Sequence, residues 1–573
     1  MTRRFMLIAS ALVLIAAVVG GTIGRSRRFR HSVPSNGAVS YAAAGDIEKD
    51  YNEAIAAISV EYAGDIDYEK ATQAAIQGML STLDPHSMYF PYSEFKKLRE
   101  DQDSKFFGIG VTIVQHRDGV YIQSAVEDTP AGRLGLRYGD RILEVDGEDA
   151  RDWSSEQVSK KVRGGKGEPV TIKVDRAGSE APLTFTVIRD LVPLPSIRNA
   201  YMLRPGTGYI GLTGGFQSTS DEELREALDK LKDQGMRQVI LDMRGNPGGL
   251  LNQAIDVASE FLPRGLVVVS VKGRTEYSDP IVYKSTGADP EDVPLVVLIN
   301  RGTASASEIV AGAIQDHGRG LIVGETSFGK GLVQHVFLLP FSTGLTLTTA
   351  RYYTPYGRSL QRDYSSGSLY DYYTRHDEDA TRAQAPPSAS SSPTSRKPEA
   401  TPAPVATPHP QNGPAVKTAA GRVFYGGGGI TPDIDIKPVV FSPLKNRIVE
   451  AAFQFTRQLA AGRVAGLESY KVERVQYGRN PKATDYPIND RVLDAFRSFV
   501  RTDTASQLAP AQLEEELDFV KLRLREEIVT AAYSNDAGAR VLLDSDPQVL
   551  RALEALPDAK RLAETARNEE LRS

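Results

Sequence analysis

The spacing of apolar residues changes four times along the chain, and each change predicts a new region. Residues 46–104 carry helical spacing in "DYNEAIAAISVEY" and "YEKATQAAIQGMLSTL", closed by the turn "DPHSMYFP", and predict a small N-terminal helical region. Over 105–190 the pattern shortens to strand-like runs, "GIGVTIVQ", "GVYIQSAV", "RILEVDG", "VTIKVDR" and "TFTVIRD", with a helical "SSEQVSKKVRG" between the third and fourth. From 206 to 350 the runs "TGYIGL", "QVILDMR", "GLVVVSV" and "PLVVLIN" alternate with the helical "STSDEELREALDKLKDQG" and "LLNQAIDVASEFL". Such alternation predicts an α/β domain with substantially parallel strands, spanning 191–440, whose ligands gather at the carboxyl ends of the strands. Two Gly-rich loops, "GNPGG" and "RGTASAS", occupy that position. Residues 441–573 return to a charged helical pattern that predicts packing or assembly rather than chemistry.

Two segments follow none of these patterns. Residues 1–30 hold about 20 uncharged, mostly apolar positions from Phe5 to Gly24, enough to cross a bilayer, and are read as a signal or membrane anchor. No small-residue cleavage site lies immediately behind the run, which favours an anchor over a cleaved signal. Arg25, Arg27, Arg28 and Arg30 outnumber Arg3 and Arg4 and oppose export of the body, whereas "TRRFML" is a weak twin-arginine-like signal in favour of it. The second segment, about 376–420, is a Pro, Ala, Ser and Thr tract too poor in apolar residues to order itself. It reads as a disordered insertion within the α/β domain; the rival reading, a linker between two domains, fails if its flanks pair with each other.

Composition narrows the function. A chain of 573 residues accommodates three or four units at about 100 to 200 residues per domain. The formal charge of -5 supplies no basic surplus for a phosphate backbone, so nucleic acid is not an expected partner. The absence of cysteine excludes thiol nucleophiles, Cys-based zinc sites and disulfides.

The stretch "TPAGRLGLRYGDRILEVDGED" resembles the PDZ family, whose domains add a peptide C-terminus as an extra strand and hold its carboxylate on backbone N–H groups. Matching by position puts that carboxylate nest at Gly108, Ile109, Gly110 and Val111. The bland alternative is a β-turn made by the two glycines.

Residues 302–334, "GTASASEIVAGAIQDHGRGLIVGETSFGKGLVQ", concentrate the candidate chemistry. One account is structural: Ser305 as N-cap and Glu308 three residues on form a capping box. It leaves the lysine loop unexplained. A second notes that Gly324, Gly329 and Lys330 satisfy G-x-x-x-x-G-K, but Gly331 stands where a magnesium-binding Ser or Thr belongs and "GLVQHVFLLPF" reads as a strand where a helix should start. The third makes a serine the nucleophile at a strand-to-helix turn, where backbone N–H groups stabilise an oxyanion. Of the seven histidines, His317 and His335 are nearest in sequence, yet His317 sits at the far end of the helix from Ser305. Lys330 is the better base, because "TSFGKG" can fold back over the helix start and Ser/Lys pairs are a known variant of the triad. To accept a proton near neutral pH its pKa must fall by about 3 units, about 4 kcal/mol of desolvation or local charge, part of it from apolar neighbours such as Phe328. His86, alone in its turn, is assigned no role.

The ordered set "LDPHSMYF", "DMRGNPGG", "NRGTASASEI", "VGETSFGKGLVQ", "YYTPYGRSLQ" and "GITPDI", together with the PDZ module, resembles the C-terminal processing peptidase (tail-specific protease) family over about residues 46–440. The resemblance implies a multidomain α/β protein: an N-terminal helical region, a β-rich PDZ domain, an α/β serine protease core and a helical C-terminal region. In that family a serine is activated by a lysine 25 residues later, and a glutamine four residues beyond orients the lysine. It therefore selects Ser305 over Ser307, pairs it with Lys330 and nominates Gln334. It further implies an oxyanion hole from the backbone N–H groups of Ala306 and Gly248, with Gly249 the adjacent alternative. Arg163 matches an arginine that some relatives use to couple peptide binding to the active site; a solvated helix-end charge is the competing reading. The implied activity is a serine endopeptidase cleaving proteins in or near their C-terminal regions, without metal or organic cofactor, on the periplasmic side of the inner membrane. Its expected partners are protein substrates with apolar C-terminal tails and, through the N-terminal segment, the membrane; the resemblance leaves room for an activating adaptor and a homo-oligomer. The alternative from another class is a non-catalytic PDZ scaffold in which the serine caps a helix and Lys330 stays charged.

Overall fold

The computed structural model describes residues 44–274, 279–364, 372, 413–418, 421–478, 481–482 and 484–570. The apolar segment of residues 1–30 lies outside them, as does most of the Pro, Ala, Ser and Thr tract. Two compact units divide the chain at Ala74. The first contains the helix Ala44–Glu61 and the start of the helix Tyr68–Ser81; everything below concerns the second, from Ala75 onward.

The PDZ region is an antiparallel sheet of Val111–His116, Gly119–Ala125, Arg141–Val145, Pro169–Asp175 and Leu183–Ile188, with the short Glu148–Asp149 beside the third. Val170, Ile172 and Val174 alternate inward and are fully buried with Val120, Ile122, Ile142 and Val158. The helix Ser155–Val162 is started by a capping box, in which the Ser154 hydroxyl accepts the Gln157 N–H and the Gln157 side chain accepts the Ser154 N–H.

The second domain is built on a six-stranded sheet in the order Ile197–Arg204, Thr207–Leu212, Gln238–Asp242, Leu295–Ile299, Leu321–Gly324, Ile434–Asp435. The last five strands are parallel and the first is antiparallel to its neighbour. Successive residues of one strand feed two cores. Val297 and Ile299 pack with the helices Ser220–Asp233, Leu251–Ser259 and Ala306–Asp316, while Val296 and Leu298 pack with Val549, Ala552, Leu556 and Ala559 of the helix Pro547–Glu570. This explains why "PLVVLIN" is continuously apolar: both faces of its strand are covered.

Three expectations are corrected. "GLVVVSV" does not join the parallel sheet; Val267–Gly273 lies in a separate antiparallel sheet between Ile281–Lys284 and Gly344–Tyr353. The connection from Gly273 to Ile281 is too short for a crossover, so the chain turns back on itself. The turn "DPHSMYFP" contains a strand, Met88–Phe90, paired with Gly344–Thr346 of the same sheet. Within the tract read as disordered, Ala415–Lys417 is a strand paired with Val423–Tyr425, because the returning "RVFY" offers it an antiparallel edge. The flanks of the tract meet: Gly427 N–H donates to the Ser359 carbonyl at 2.7 Å and Gly429 N–H to that of Leu360 at 3.0 Å.

The helical C-terminal region contacts both domains. Besides Pro547–Glu570 against the parallel sheet, the helices Pro443–Ala460 and Leu517–Ala532 pack on the PDZ residues Tyr121 and Tyr138. Phe453 is the centre of that contact, stacked on His116 at 3.6 Å and edge-on to Tyr121 and Tyr138. His116 Nδ1 lies 2.7 Å from the Glu450 carboxylate, and the Tyr138 hydroxyl donates to Glu527 at 2.7 Å. Because Phe453 is fully buried, Phe453→Ala is expected to cost about 3–5 kcal/mol and to lower the thermal unfolding transition. An unchanged melting profile would show that the helices do not brace the PDZ domain.

Candidate active site

The loops "GNPGG" and "RGTASAS" leave the carboxyl ends of neighbouring parallel strands, and side chains knit them together. Asn246, fully buried, donates through its amide to the Leu212 carbonyl at 2.8 Å, and its own carbonyl accepts the Ala304 N–H at 3.0 Å. The Thr303 hydroxyl donates to the Met243 carbonyl at 2.9 Å. These bonds bring Ser305 to the head of the helix Ala306–Asp316 with φ 56° and ψ −116°. A non-glycine residue held at positive φ is strained, and here the surrounding bonds impose it.

The two serines separate at once. The Ser307 hydroxyl donates to the Asn246 carbonyl at 3.1 Å and is fully buried. The Ser305 hydroxyl makes no capping hydrogen bond, since the Glu308 N–H is donated to the Ser305 carbonyl at 2.8 Å instead. Only the reverse arm of the expected capping box forms, with the Glu308 carboxylate accepting the Ser305 N–H at 2.8 Å.

That carboxylate does more than cap. Glu308 is fully buried; its Oε2 accepts the N–H of both Ser305 and Lys330 at 2.8 Å, and its Oε1 accepts the Gly329 N–H at 2.7 Å and the Ser327 hydroxyl at 2.5 Å. One side chain thereby ties the helix head to the lysine loop. The Phe328 N–H, donating to the Thr303 carbonyl at 2.9 Å, folds that loop back over the helix start. Lys330 is followed by the strand Leu332–Leu338, not by a helix, so no phosphate-binding loop is present here.

Burial holds the Lys330 ammonium below its ordinary pKa of 10.5, while the charges of Glu308 and Asp84 act in the opposite direction. His86, assigned no role from sequence, stands in the same surroundings: burial and the Lys330 charge push it down to about 4. Its Nε2 lies 2.9 Å from the Tyr372 hydroxyl. The "DPHS" run was the available signal, but nothing local in it points to a lysine so distant in sequence. The Gln334 amide donates to the Thr348 hydroxyl at 3.2 Å, and no hydrogen bond links it to Lys330 among the described residues.

Gly248, at φ 94°, faces Ser305: a β-carbon there would lie 2.7 Å from the Ser305 Cβ and 2.9 Å from the Ala306 nitrogen. The Ala306 N–H, at the first position of the helix, donates to no group among the described residues. The Gly248 N–H is occupied, donating to Asn246 Oδ1 at 2.9 Å, whereas that of the adjacent Gly249 makes no such bond. The Gly248 N–H assigned to the oxyanion hole is therefore engaged by the Asn246 side chain two residues before it, an Asx turn that the sequence reading omits although "GNPGG" carries its local signal.

In the PDZ region Gly108 ends one strand and Val111 begins the next. Between them the carbonyls of Ile109 and Gly110 accept the N–H groups of Ala131 at 2.8 Å and Val126 at 2.9 Å, while the N–H groups of Ile109 and Gly110 donate to none of the described residues. At Gly110, φ 81°, a β-carbon would fall 2.3 Å from Thr129. Arg163 is half-buried. Its guanidinium stacks 4.0 Å from the Phe106 ring centroid, and its buried Nη1 has no hydrogen-bond partner among the described residues.

Comparisons with known proteins bear on this arrangement. Family models match residues 206–372 as peptidase family S41 and residues 98–175 as a PDZ domain. The carboxy-terminal-processing protease of Bartonella bacilliformis is 36% identical over 307 residues, covering 53% of this chain and 70% of that protein. The carboxyl-terminal-processing protease of Synechocystis is 37% identical over 297 residues, covering 51% and 69%. The carboxy-terminal processing protease CtpB of Bacillus subtilis is 33% identical over 337 residues, covering 57% and 70%. With a PDZ domain joined to an α/β core in which a strained serine and a half-buried lysine share one carboxylate, the chain belongs to the carboxy-terminal-processing protease family and is a serine-type peptidase of family S41.

Proposed function

We propose that Ser305 and Lys330 form the catalytic dyad with which this peptidase cleaves proteins in or near their C-terminal regions. The observation that carries the reading is the single Glu308 oxygen accepting the backbone N–H of both residues. The neutral Lys330 amine takes the Ser305 proton as Oγ attacks the scissile carbonyl carbon, and the resulting ammonium gives that proton to the departing amine as the C–N bond breaks. Water then attacks the acyl-enzyme with Lys330 again as base, which releases the product acid and restores the serine. The Ala306 N–H holds the oxyanion, joined by a donor of the Gly248–Gly249 turn; Gly248 serves once its N–H leaves Asn246 Oδ1. Gln334 orients the lysine.

The PDZ region binds the substrate tail by strand addition, with its carboxylate on the N–H groups around Gly108, Ile109, Gly110 and Val111. Apolar tails are the proposed substrates. Arg163, stacked on Phe106 of the strand Lys105–Gly108 that leads into that nest, relays its occupancy toward the core. Residues 1–30 would anchor or export the enzyme to the periplasmic side of the inner membrane, where an adaptor or a second copy of the chain has access to it.

A serine-directed phosphonate tests the reading. Peptide mapping is expected to place the adduct on Ser305 and none on Ser307, because only an activated hydroxyl reacts. An unlabelled protein that still binds an apolar tail would instead support the scaffold.

A further inference from the structure

The carboxylate of Asp84, 8% exposed, gathers the turn before the strand Met88–Phe90. Its Oδ1 accepts the His86 N–H at 2.8 Å, the Ser87 N–H at 3.0 Å and the Thr348 hydroxyl at 3.0 Å, and its Oδ2 accepts the Ser87 hydroxyl at 2.7 Å. Ser87 Oγ in turn accepts the Thr348 N–H at 3.1 Å. Every partner of this buried charge is a donor, so its hydrogen bonding is satisfied without solvent. The Thr348 hydroxyl, having given its proton to Asp84, accepts the Gln334 amide at 3.2 Å. Gln334 and Thr348 are cross-strand partners, and the strand register shifts between Val333 and Gln334. A bulge at that point re-aims the side chain that follows, which then needs a fixed partner to define its direction.

We propose that Asp84 is a positioning residue of the peptidase site, holding Gln334 through the Thr348 hydroxyl and presenting a fixed negative charge to Lys330. The inference rests on the Ser305/Lys330 reading. The charged and titratable groups around Lys330 are Glu308 from the helix head, Asp84 and His86 from the turn, and Arg362 beside His86. Asp84 and Glu308 both favour the ammonium; His86, at about 4, is neutral near pH 7. Removing the Asp84 charge therefore lowers the Lys330 pKa and moves the rising limb of the pH–rate profile to lower pH.

Two variants separate charge from positioning, assayed on an unfolded protein with an apolar C-terminus. Asp84→Asn is expected to lower kcat about tenfold with KM unchanged and to shift the rising limb acidward by about one pH unit. Thr348→Val keeps the charge and breaks the relay, so kcat falls by a similar factor while the limb stays in place; Thr348→Ser restores kcat. Thermal melting checks that each variant is folded, and Thr348→Val with its serine rescue carries the test if Asp84→Asn is not. Wild-type kcat and pH limb in both variants, with Lys330→Ala inactive, would overturn this inference alone. A Lys330→Ala enzyme that turns over normally would overturn the dyad and the inference together.

Discussion

Ser305→Ala and Lys330→Ala are each expected to lose hydrolysis of an unfolded, apolar-tailed protein by about 10⁴-fold or more, with the tail still bound. The two losses share one cause. Without Oγ there is no acyl-enzyme, and without the amine nothing removes the Oγ proton in the attack. The Ser307 hydroxyl cannot substitute, because it is buried and donated to the Asn246 carbonyl. In the wild type the rate should rise with pH as Lys330 loses its proton. Burial lowers that pKa from 10.5, so the limb is expected on the acid side of an ordinary lysine's. Rate profiles from pH 6 to 10 on the three proteins decide it; a limb at the ordinary lysine value would remove Lys330 as a desolvated base, and full activity in either variant would remove that residue from the chemistry.

Glu308→Gln should be nearly as damaging, by about 10²- to 10³-fold in kcat, although the side chain touches no substrate in the proposed mechanism. A carboxylate offers four lone-pair sites, and here four donors fill them. An amide keeps one acceptor oxygen and turns an NH2 toward the remaining N–H groups, so the helix head and the lysine loop must part. Burial raises the Glu308 pKa, and the hydrogen bonds oppose that rise only in part; it is the four donors around the side chain that make the lost group an acceptor-only carboxylate. With that charge gone the Lys330 pKa falls, and the residual activity should show its rising limb at lower pH. Glu308→Asp supplies the contrast: the charge stays but is one methylene too short to bridge, so kcat falls with the limb nearly unmoved. Stopped kinetics at saturating substrate, compared with KM for the tail, would detect this split. A Glu308→Gln enzyme with wild-type kcat would show that the clamp is only a cap.

Much of this site can be read from short stretches. The strands of the PDZ region follow two-residue alternation, and Gly110 is explained by a positive φ and the close approach of Thr129. Glu308 at the third position after Ser305 is legible as a cap, but its other partners are not. Ser327 and Lys330 lie 19 and 22 residues further along, and no local rule brings them to a helix start. The same limit hid Asp84, whose bond to Thr348 spans 264 residues, whereas the Asn246 side chain occupies the Gly248 donor from two residues away, a local Asx turn. "GLVVVSV" has the composition of a buried parallel strand; its antiparallel pairing depends on which neighbours the chain returns to.

By itself, then, the sequence determined the elements whose physics is local: where apolar periodicity starts and stops, which turns need glycine, and, through the ordered motifs from "LDPHSMYF" to "GITPDI", which family's chemistry to look for. Only the tertiary structure decided which hydroxyl stays available and which carboxylates surround the lysine. It alone showed that the helix Pro547–Glu570 covers the second face of the parallel sheet. Those facts belong to close packing and to the satisfaction of buried polar groups, which are properties of the whole folded chain and cannot be assigned to any one segment.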